Sequence, residues 1–567
     1  MSNQADVVPN EKSKPRRSPL SSKKLWAFRL IAICFPLLLI IVFEFLLRLL
    51  HVGTDLHLVQ KIESQGSDVT HRLNPSIELA YYPMEVSGPE PRPFTLPKPI
   101  KTFRVVCLGG STVIGFPYGS ELAFPRQIEV LLSLQNPEIE FEVLNAGVTS
   151  MNSFVVADLA EEAIVCDPDL LIVHTGHNEF YGPGGPASAV GNLSPNWKSL
   201  INVLRRSRTG QLLSKVKPII SDEENLLDAL PIQFDIPLES ETVRQAEQNL
   251  RLNLNRVVET ALTANVPLVL SSVSSNLRDQ SPMRPFGEIA DQSIRAEWEQ
   301  FVSAGETELL VGNYESALKS LNQAADFYAD HARLKFRVAQ CLQGLGRNEE
   351  ARVAYRKARD LDGCRFRAPS SFRQLTENVV KEQDDELVTF VDIAEFLNTK
   401  SHPAGPGYDY YLEHVHYLYQ GHFELALAFA KHIQTEVLKK KWESEAVPDL
   451  EEMKSLTGYI SEDDLAAFSL SIEVLKTAPF RECLDLERHF KHLIAEIAGV
   501  YGQLSEDRQR IFADMPMEMV GDQLIRNLAA SHLTQGDREF AEDLLELKVI
   551  RVKDLKAEEI SPVQTSD

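Results

Sequence analysis

Four short stretches of this 567-residue chain combine residue types that can do chemistry. In Leu108-Gly109-Gly110-Ser111-Thr112 a serine follows two glycines at the end of an apolar run. A hydroxyl so placed can act as a nucleophile, although the same residues also make a tight turn with a helix cap. Downstream come Asn145-Ala146-Gly147 and Gly176-His177-Asn178-Glu179, and much later Glu413-His414-Val415-His416. An acid three residues before a histidine can, on one turn, orient the ring of His416 through one nitrogen. The other nitrogen then takes the Ser111 proton, as acyl transfer requires. The backbone N–H groups of Ser111 and Gly147 and the Asn178 amide would supply three donors to an oxyanion. The competing reading is that the glycines turn the chain and Asn178 satisfies a loop. His414, His416 and His422 form a rival set of metal ligands, but no carboxylate-rich motif accompanies them, so neither a metal nor a cofactor is expected.

Each stretch except the last directly follows an apolar run of strand length. Such runs lie at 103–108, 139–144, 170–174, 267–271 and 387–393, alternating with amphipathic segments at 124–134, 154–165 and 243–264. The order β-α-β-α-β-α-β predicts an α/β fold, a three-layer α/β/α sandwich of flavodoxin-like type, whose strand ends carry the chemistry. Over one hundred residues separate the last two strands, and that stretch contains a repeat. Gly312-Asn313-Tyr314-Glu315-Ser316-Ala317 aligns with Gly346-Arg347-Asn348-Glu349-Glu350-Ala351 at an offset of 34 residues, and Ala324 with Ala358. This period, with small residues where helices meet, resembles the tetratricopeptide repeat. The chain therefore divides into a basic arm (1–24), an apolar anchor (25–50), a Pro-rich linker (51–99), the first part of the α/β domain (100–290), an α-helical repeat insertion (291–364), the second part of the domain (365–435) and a helical C-terminal region (436–567).

The net charge is −23, which disfavours nucleic-acid partners. It is unevenly spread. Lys12, Lys14, Arg16, Arg17, Lys23, Lys24 and Arg29 face only Asp6 and Glu11, and the run LIAICFPLLLIIVF follows at 30–43. From Leu25 to Leu50 the segment is long enough to span a bilayer, with Glu44 its weak point. A cleaved signal peptide and an interfacial helix are the rivals; the long polar segment ahead and the lack of a small-x-small site favour an uncleaved anchor. By the positive-inside rule the bulk of the chain then lies outside the cytoplasmic membrane. The six cysteines show no metal-ligand spacing; Cys341 and Cys364 could pair in an oxidising compartment, but no disulfide framework is expected.

Taken together, GGST at 109–112, NAG at 145–147, GHNE at 176–179 and EHVH at 413–416 resemble the four blocks of the SGNH, or GDSL-type, hydrolases. More closely, GHNEFYG (176–182), SNLRD (275–279), RFRAP (365–369) and EHVH resemble membrane-anchored bacterial members carrying tetratricopeptide repeats. The resemblance implies that Ser111 is the nucleophile, that Ser111, Gly147 and Asn178 donate to the oxyanion, and that His416 is the base with Glu413 behind it. Gly110, Glu179 and Glu413 each stand where the family usually has Asp. The implied activity is ester hydrolysis, with O-acyl groups of envelope or exported polysaccharide as candidate substrates and acetyl transfer as an alternative using the same residues. A reading of another class makes the repeats the function, with the α/β domain a degenerate scaffold for an envelope complex and the repeats the surface for a protein partner.

Overall fold

The computed structural model describes residues 22–65, 68–82, 86–188, 203–214, 234–285, 289, 291–506 and 508–509. Most of the basic arm and the end of the helical tail fall outside these. The described residues form two units, 22–55 with 203–214, and the remainder. In the smaller unit helix α1 (Ser22–Leu49) contains the stretch Phe28–Leu49, with mean hydropathy 2.9, long and apolar enough to cross a membrane. Glu44, the charge that interrupts this helix, is not left alone. Its carboxylate accepts from Arg48 Nε at 2.8 Å and from the backbone N–H groups of Arg208 and Thr209 at 3.0 and 2.8 Å, at the start of a short helix Arg208–Ser214.

In the larger unit, three antiparallel strands come first: β1 (Val59–Gln65), β2 (Asp68–Leu73) and β3 (Pro93–Leu96). The segment read as a linker is thus folded, and Leu58, Leu73, Tyr81 and Phe94 enter the main core. Strands β1 and β2 are mostly polar and prolines crowd the stretch before β3, so period-2 alternation never rises above the turn signals.

The main sheet is built from β4 (Thr102–Gly109), β5 (Glu140–Gly147), β6 (Leu170–His174), β7 (Leu268–Ser271) and β8 (Val388–Val391). All pairs are parallel, in the order β5-β4-β6-β7-β8. This is the 2-1-3-4-5 arrangement of a doubly wound sheet, and its strands are near-continuous apolar runs because both faces are covered. The register aligns the strand ends: Gly109 pairs with Gly147 and with His174, His174 with Ser271, and Ser271 with Val391. Every loop at the carboxyl edge therefore leaves from one level.

Right-handed crossovers place α3 (Phe124–Gln135) and α4 (Ser153–Ala163) on opposite faces. Helix α4 packs on α5 (Glu241–Thr263), whereas α3 packs on a helix of the second half, Tyr419–His432. Between β7 and β8 lie α6 (Gln292–Leu310), α7 (Tyr314–Phe327), α8 (Ala332–Gly344) and α9 (Asn348–Leu361), packed as two successive hairpins, followed by α10 (Ser370–Lys381). Helices α7 and α9 begin 34 residues apart, each after a glycine, Gly312 or Gly346, with positive φ. Beyond β8 come α11 (Ile393–Lys400), α12 (Tyr419–His432), α13 (Leu450–Thr457), α14 (Ser461–Lys476) and α15 (Leu486–Tyr501). The last three are continuous with the sheet's core: Met453, Phe468, Leu475, Phe480 and Leu493 belong to the same buried cluster as Val105 and Leu144. All six cysteines are free, Cys341 and Cys364 included.

Candidate active site

Strand β4 ends at Gly109 and the chain turns through Gly110 into the single-turn helix α2 (Ser111–Ile114), of which Ser111 is the first residue. The helix ends on Gly115, whose φ of 90° requires a residue without a side chain. Two other glycines are fixed by space. A Cβ on Gly147 would lie 2.4 Å from the backbone nitrogen of Ile114, so only glycine lets the end of β5 pass beneath the serine turn. A Cβ on Gly110 would lie 3.0 Å from Asn178 Nδ2. Gly110 thus leaves room for the Asn178 amide.

Opposite Ser111 stands a pinned loop rather than the helical turn expected from the Glu413–His416 spacing. Tyr411 and Tyr417 form an antiparallel bridge, Leu412 N–H donates to His416 O at 2.9 Å, and Leu418 N–H donates to Tyr410 O at 2.8 Å. Within this closed loop the carboxylate and ring still meet. The Ser111 hydroxyl lies 2.9 Å from His416 Nε2, and His416 Nδ1 lies 2.6 Å from Glu413 Oε1. His416 Nδ1 nevertheless makes no hydrogen bond among the described residues, and Oε1 accepts the His416 backbone N–H at 2.9 Å. The second oxygen, Oε2, accepts from His414 Nδ1. One buried carboxylate therefore serves two imidazoles, and the nitrogen and oxygen atoms of Glu413, His414 and His416 lie within 4.8 Å of one another. His422, the third member of the rival metal set, is not among them. Its Nδ1 faces Phe124 N–H at 3.4 Å and its ring lies against Tyr118, Phe124 and Tyr417.

Enclosure governs the electrostatics. Ser111 and His416 are each 9% exposed and Glu413 only 1%. Burial pulls the His416 pKa down to about 3, against which the adjacent carboxylate favours the charged ring. The imidazole accordingly rests in the neutral form that can accept a proton from Ser111.

The three expected oxyanion donors are not in the same condition. Asn178 Nδ2 donates to Met151 O at 3.1 Å while lying against Gly110. The Ser111 N–H opens helix α2 and has no intrahelical acceptor. The Gly147 N–H, by contrast, donates to Asn145 Oδ1 at 3.0 Å, and Asn145 is held there by its own amide on Val113 O at 2.8 Å. An oxyanion would have to share this donor or displace the Asn145 side chain.

Several supporting residues have no periodicity or chemical motif to reveal their role. Asn276 is fully buried in SNLRD, and its backbone and side-chain N–H groups hold His414 O and Glu413 O, each at 3.0 Å. Arg367 of RFRAP holds Asn276 O at 3.0 Å and pairs with buried Asp362 at 3.0 Å. Those two motifs are thus the scaffold behind the Glu413–His416 loop. Phe480 of the tail closes over His414, with ring centroids 4.5 Å apart. Two residues of the third block are also structural. His177 Nε2 donates to Ser274 O at 3.1 Å and its Nδ1 accepts Ala368 N–H at 3.3 Å. Glu179 accepts from Ser153 N–H and Oγ at 2.8 and 2.6 Å, capping α4, and burial pushes its carboxyl up to about 7.

A serine hydroxyl, a neutral imidazole and a carboxylate in sequence, at the point where a doubly wound sheet reverses direction, define an α/β protein able to activate an oxygen nucleophile. No family model matches the chain, and no curated protein matches it. Among solved structures it is similar to a putative lipolytic protein of the G-D-S-L family from Desulfitobacterium hafniense, at 11% identity over 58% of this chain and 98% of that one, with a TM-score of 0.25. It is also similar to a catalytic mutant of Axe2, an acetylxylan esterase from Geobacillus stearothermophilus, at 12% identity over 58% and 94%, with a TM-score of 0.27.

Proposed function

We propose that the chain is a serine esterase of SGNH type, anchored by α1 with its bulk outside the cytoplasmic membrane. The observation that carries this reading is the 2.9 Å approach of Ser111 Oγ to His416 Nε2, with Glu413 behind the ring. Ser111 attacks the ester carbonyl while His416 takes its proton. The Ser111 N–H and the Asn178 amide stabilise the oxyanion, joined by Gly147 once Asn145 yields. His416 then protonates the departing alcohol, and water or an acceptor hydroxyl, activated by the same ring, releases the acyl group.

A serine only 9% exposed suits a small acyl group, and an O-acetyl ester on an envelope or exported polysaccharide matches both that size and the compartment. The hairpins α6–α9 are read as a tetratricopeptide-like surface for substrate or a protein partner. The test is cleavage of p-nitrophenyl acetate, with and without an oligosaccharide acceptor. Ser111→Ala should abolish it and also abolish labelling by a fluorophosphonate. Retained cleavage would refute the assignment, and acetylated oligosaccharide as the main product would make the chain a transferase.

A further inference from the structure

A cavity of about 70 Å³ lies where the second helical hairpin meets the α/β domain, apart from Ser111 and His416. Three guanidinium side chains line it: Arg356 and Arg359 from α9 and Arg373 from the first turns of α10. Arg359 and Arg373 are braced from behind. Arg359 holds Asp360 Oδ1 at 2.8 Å and Ser370 Oγ at 2.7 Å, and Arg373 Nε holds both Asp392 oxygens at 2.9 Å. Arg356 makes no ion pair or side-chain hydrogen bond among the described residues.

The rest of the lining is mixed, with Val273, Leu277 and Ala394 beside polar groups of which Ser275 and Asn398 are partly unpaired. Ser275 is 2% exposed and its Oγ has no partner; Asn398 is 6% exposed and its Oδ1 has none. Pro369 and Ser370 bring the N-terminus of α10 to the same wall, where the Asp360 carboxylate already accepts the Ser370 N–H at 3.0 Å and the Ser370 hydroxyl at 2.6 Å. A buried hydroxyl without a partner is rare and calls for a ligand or ordered water; the Ser275 hydroxyl can donate to an anion, whereas the Asn398 amide oxygen can only accept.

We propose that this cavity binds a tetrahedral oxyanion, a phosphate or sulfate group. A planar carboxylate is satisfied by one guanidinium fork, whereas a tetrahedral group offers oxygens to three guanidinium groups and leaves one for the Ser275 hydroxyl. The volume admits a few waters or one such group. The same chemistry could arrive as a free ion or at the end of a phosphorylated or sulfated sugar. The site does not depend on ester chemistry at Ser111, but it shares the Val273–Ser275 loop with His177, through Ser274 O.

The experiment is thermal unfolding and calorimetric titration of the full chain with sodium phosphate and sodium sulfate, against sodium chloride at equal ionic strength. Glucose 6-phosphate and glucose 6-sulfate form separate arms. The oxyanions should raise Tm above the chloride value. Arg356→Gln, which breaks no internal contact, should weaken binding by about tenfold or more. Ser275→Ala should weaken it less, and Ser111→Ala should leave it unchanged, so that loss of esterase activity and loss of this site are read separately. Tighter binding of the sugar esters would identify a substrate-borne group, and equal or weaker binding a free ion. No oxyanion-specific shift, or a shift that persists in both Arg356→Gln and Ser275→Ala, would overturn the proposal.

Discussion

At the scale of single residues, enclosure sets the behaviour of the ionisable groups. Burial lowers the His416 pKa, so the ring stays neutral, and competent as a base, as pH falls through the usual imidazole range. The acid limb of kcat/KM for a neutral ester should therefore lie below about pH 6. A limb at ordinary imidazole values would show that Glu413 outweighs burial. Glu179 runs the other way. Its carboxyl, raised from 4.5 to about 7 in the folded chain, holds a proton more tightly there than when unfolded. Stability from this group is thus lost as pH rises through that window. Glu179→Gln, which keeps the cap on Ser153, should flatten the fall in Tm between pH 5 and pH 8. The placement of Ser111, Gly147 and Asn178 at the sheet edge was legible in the sequence because strand-end glycines mark that edge. The capture of the Gly147 N–H by Asn145 was not, since nothing in the spacing says which acceptor a donor will find.

At the scale of elements, the site depends on two glycine contacts and one buried clamp. Gly147→Ala places a methyl against the backbone of α2, which must move, carrying Ser111 with it. The expected result is a loss of kcat/KM of about a hundredfold, more than any loss of stability accounts for, because misplacement by roughly an ångström has this effect. Asn276→Ala removes the donor to Glu413 O and the acceptor for the Asp279 and Gln280 N–H groups. A cost of roughly 2–4 kcal/mol in chemical denaturation should accompany a loss of turnover. The apolar strands of the main sheet and the 34-residue period were visible as patterns. Strands β1–β3 were hidden by polar side chains and prolines, and the Asn276 and Arg367 supports by the absence of any period in buried polar clamps.

At the scale of the whole molecule, the helical tail is part of the core rather than an appendage. Phe480 is 4% exposed and lies against Phe366 and His414, so Phe480→Ala should destabilise the chain by about 3–5 kcal/mol and lower kcat as His414 loosens. A thermal shift without any change in kcat would separate the tail from the site. The tail's helical character was readable from its pattern, but not its partner, because an amphipathic face does not name the surface that covers it.

Ser111 and His416 are 2.9 Å apart in space and 305 residues apart along the chain. During synthesis at about 5–20 residues per second, the serine emerges some 15–60 s before the histidine that activates it. Until β8 joins the sheet and the Glu413–His416 loop closes, the nascent protein carries an unactivated alcohol. Chain order thereby acts as a timer: activity begins only after the segment holding α1 has left the ribosome and most of the polypeptide has followed it.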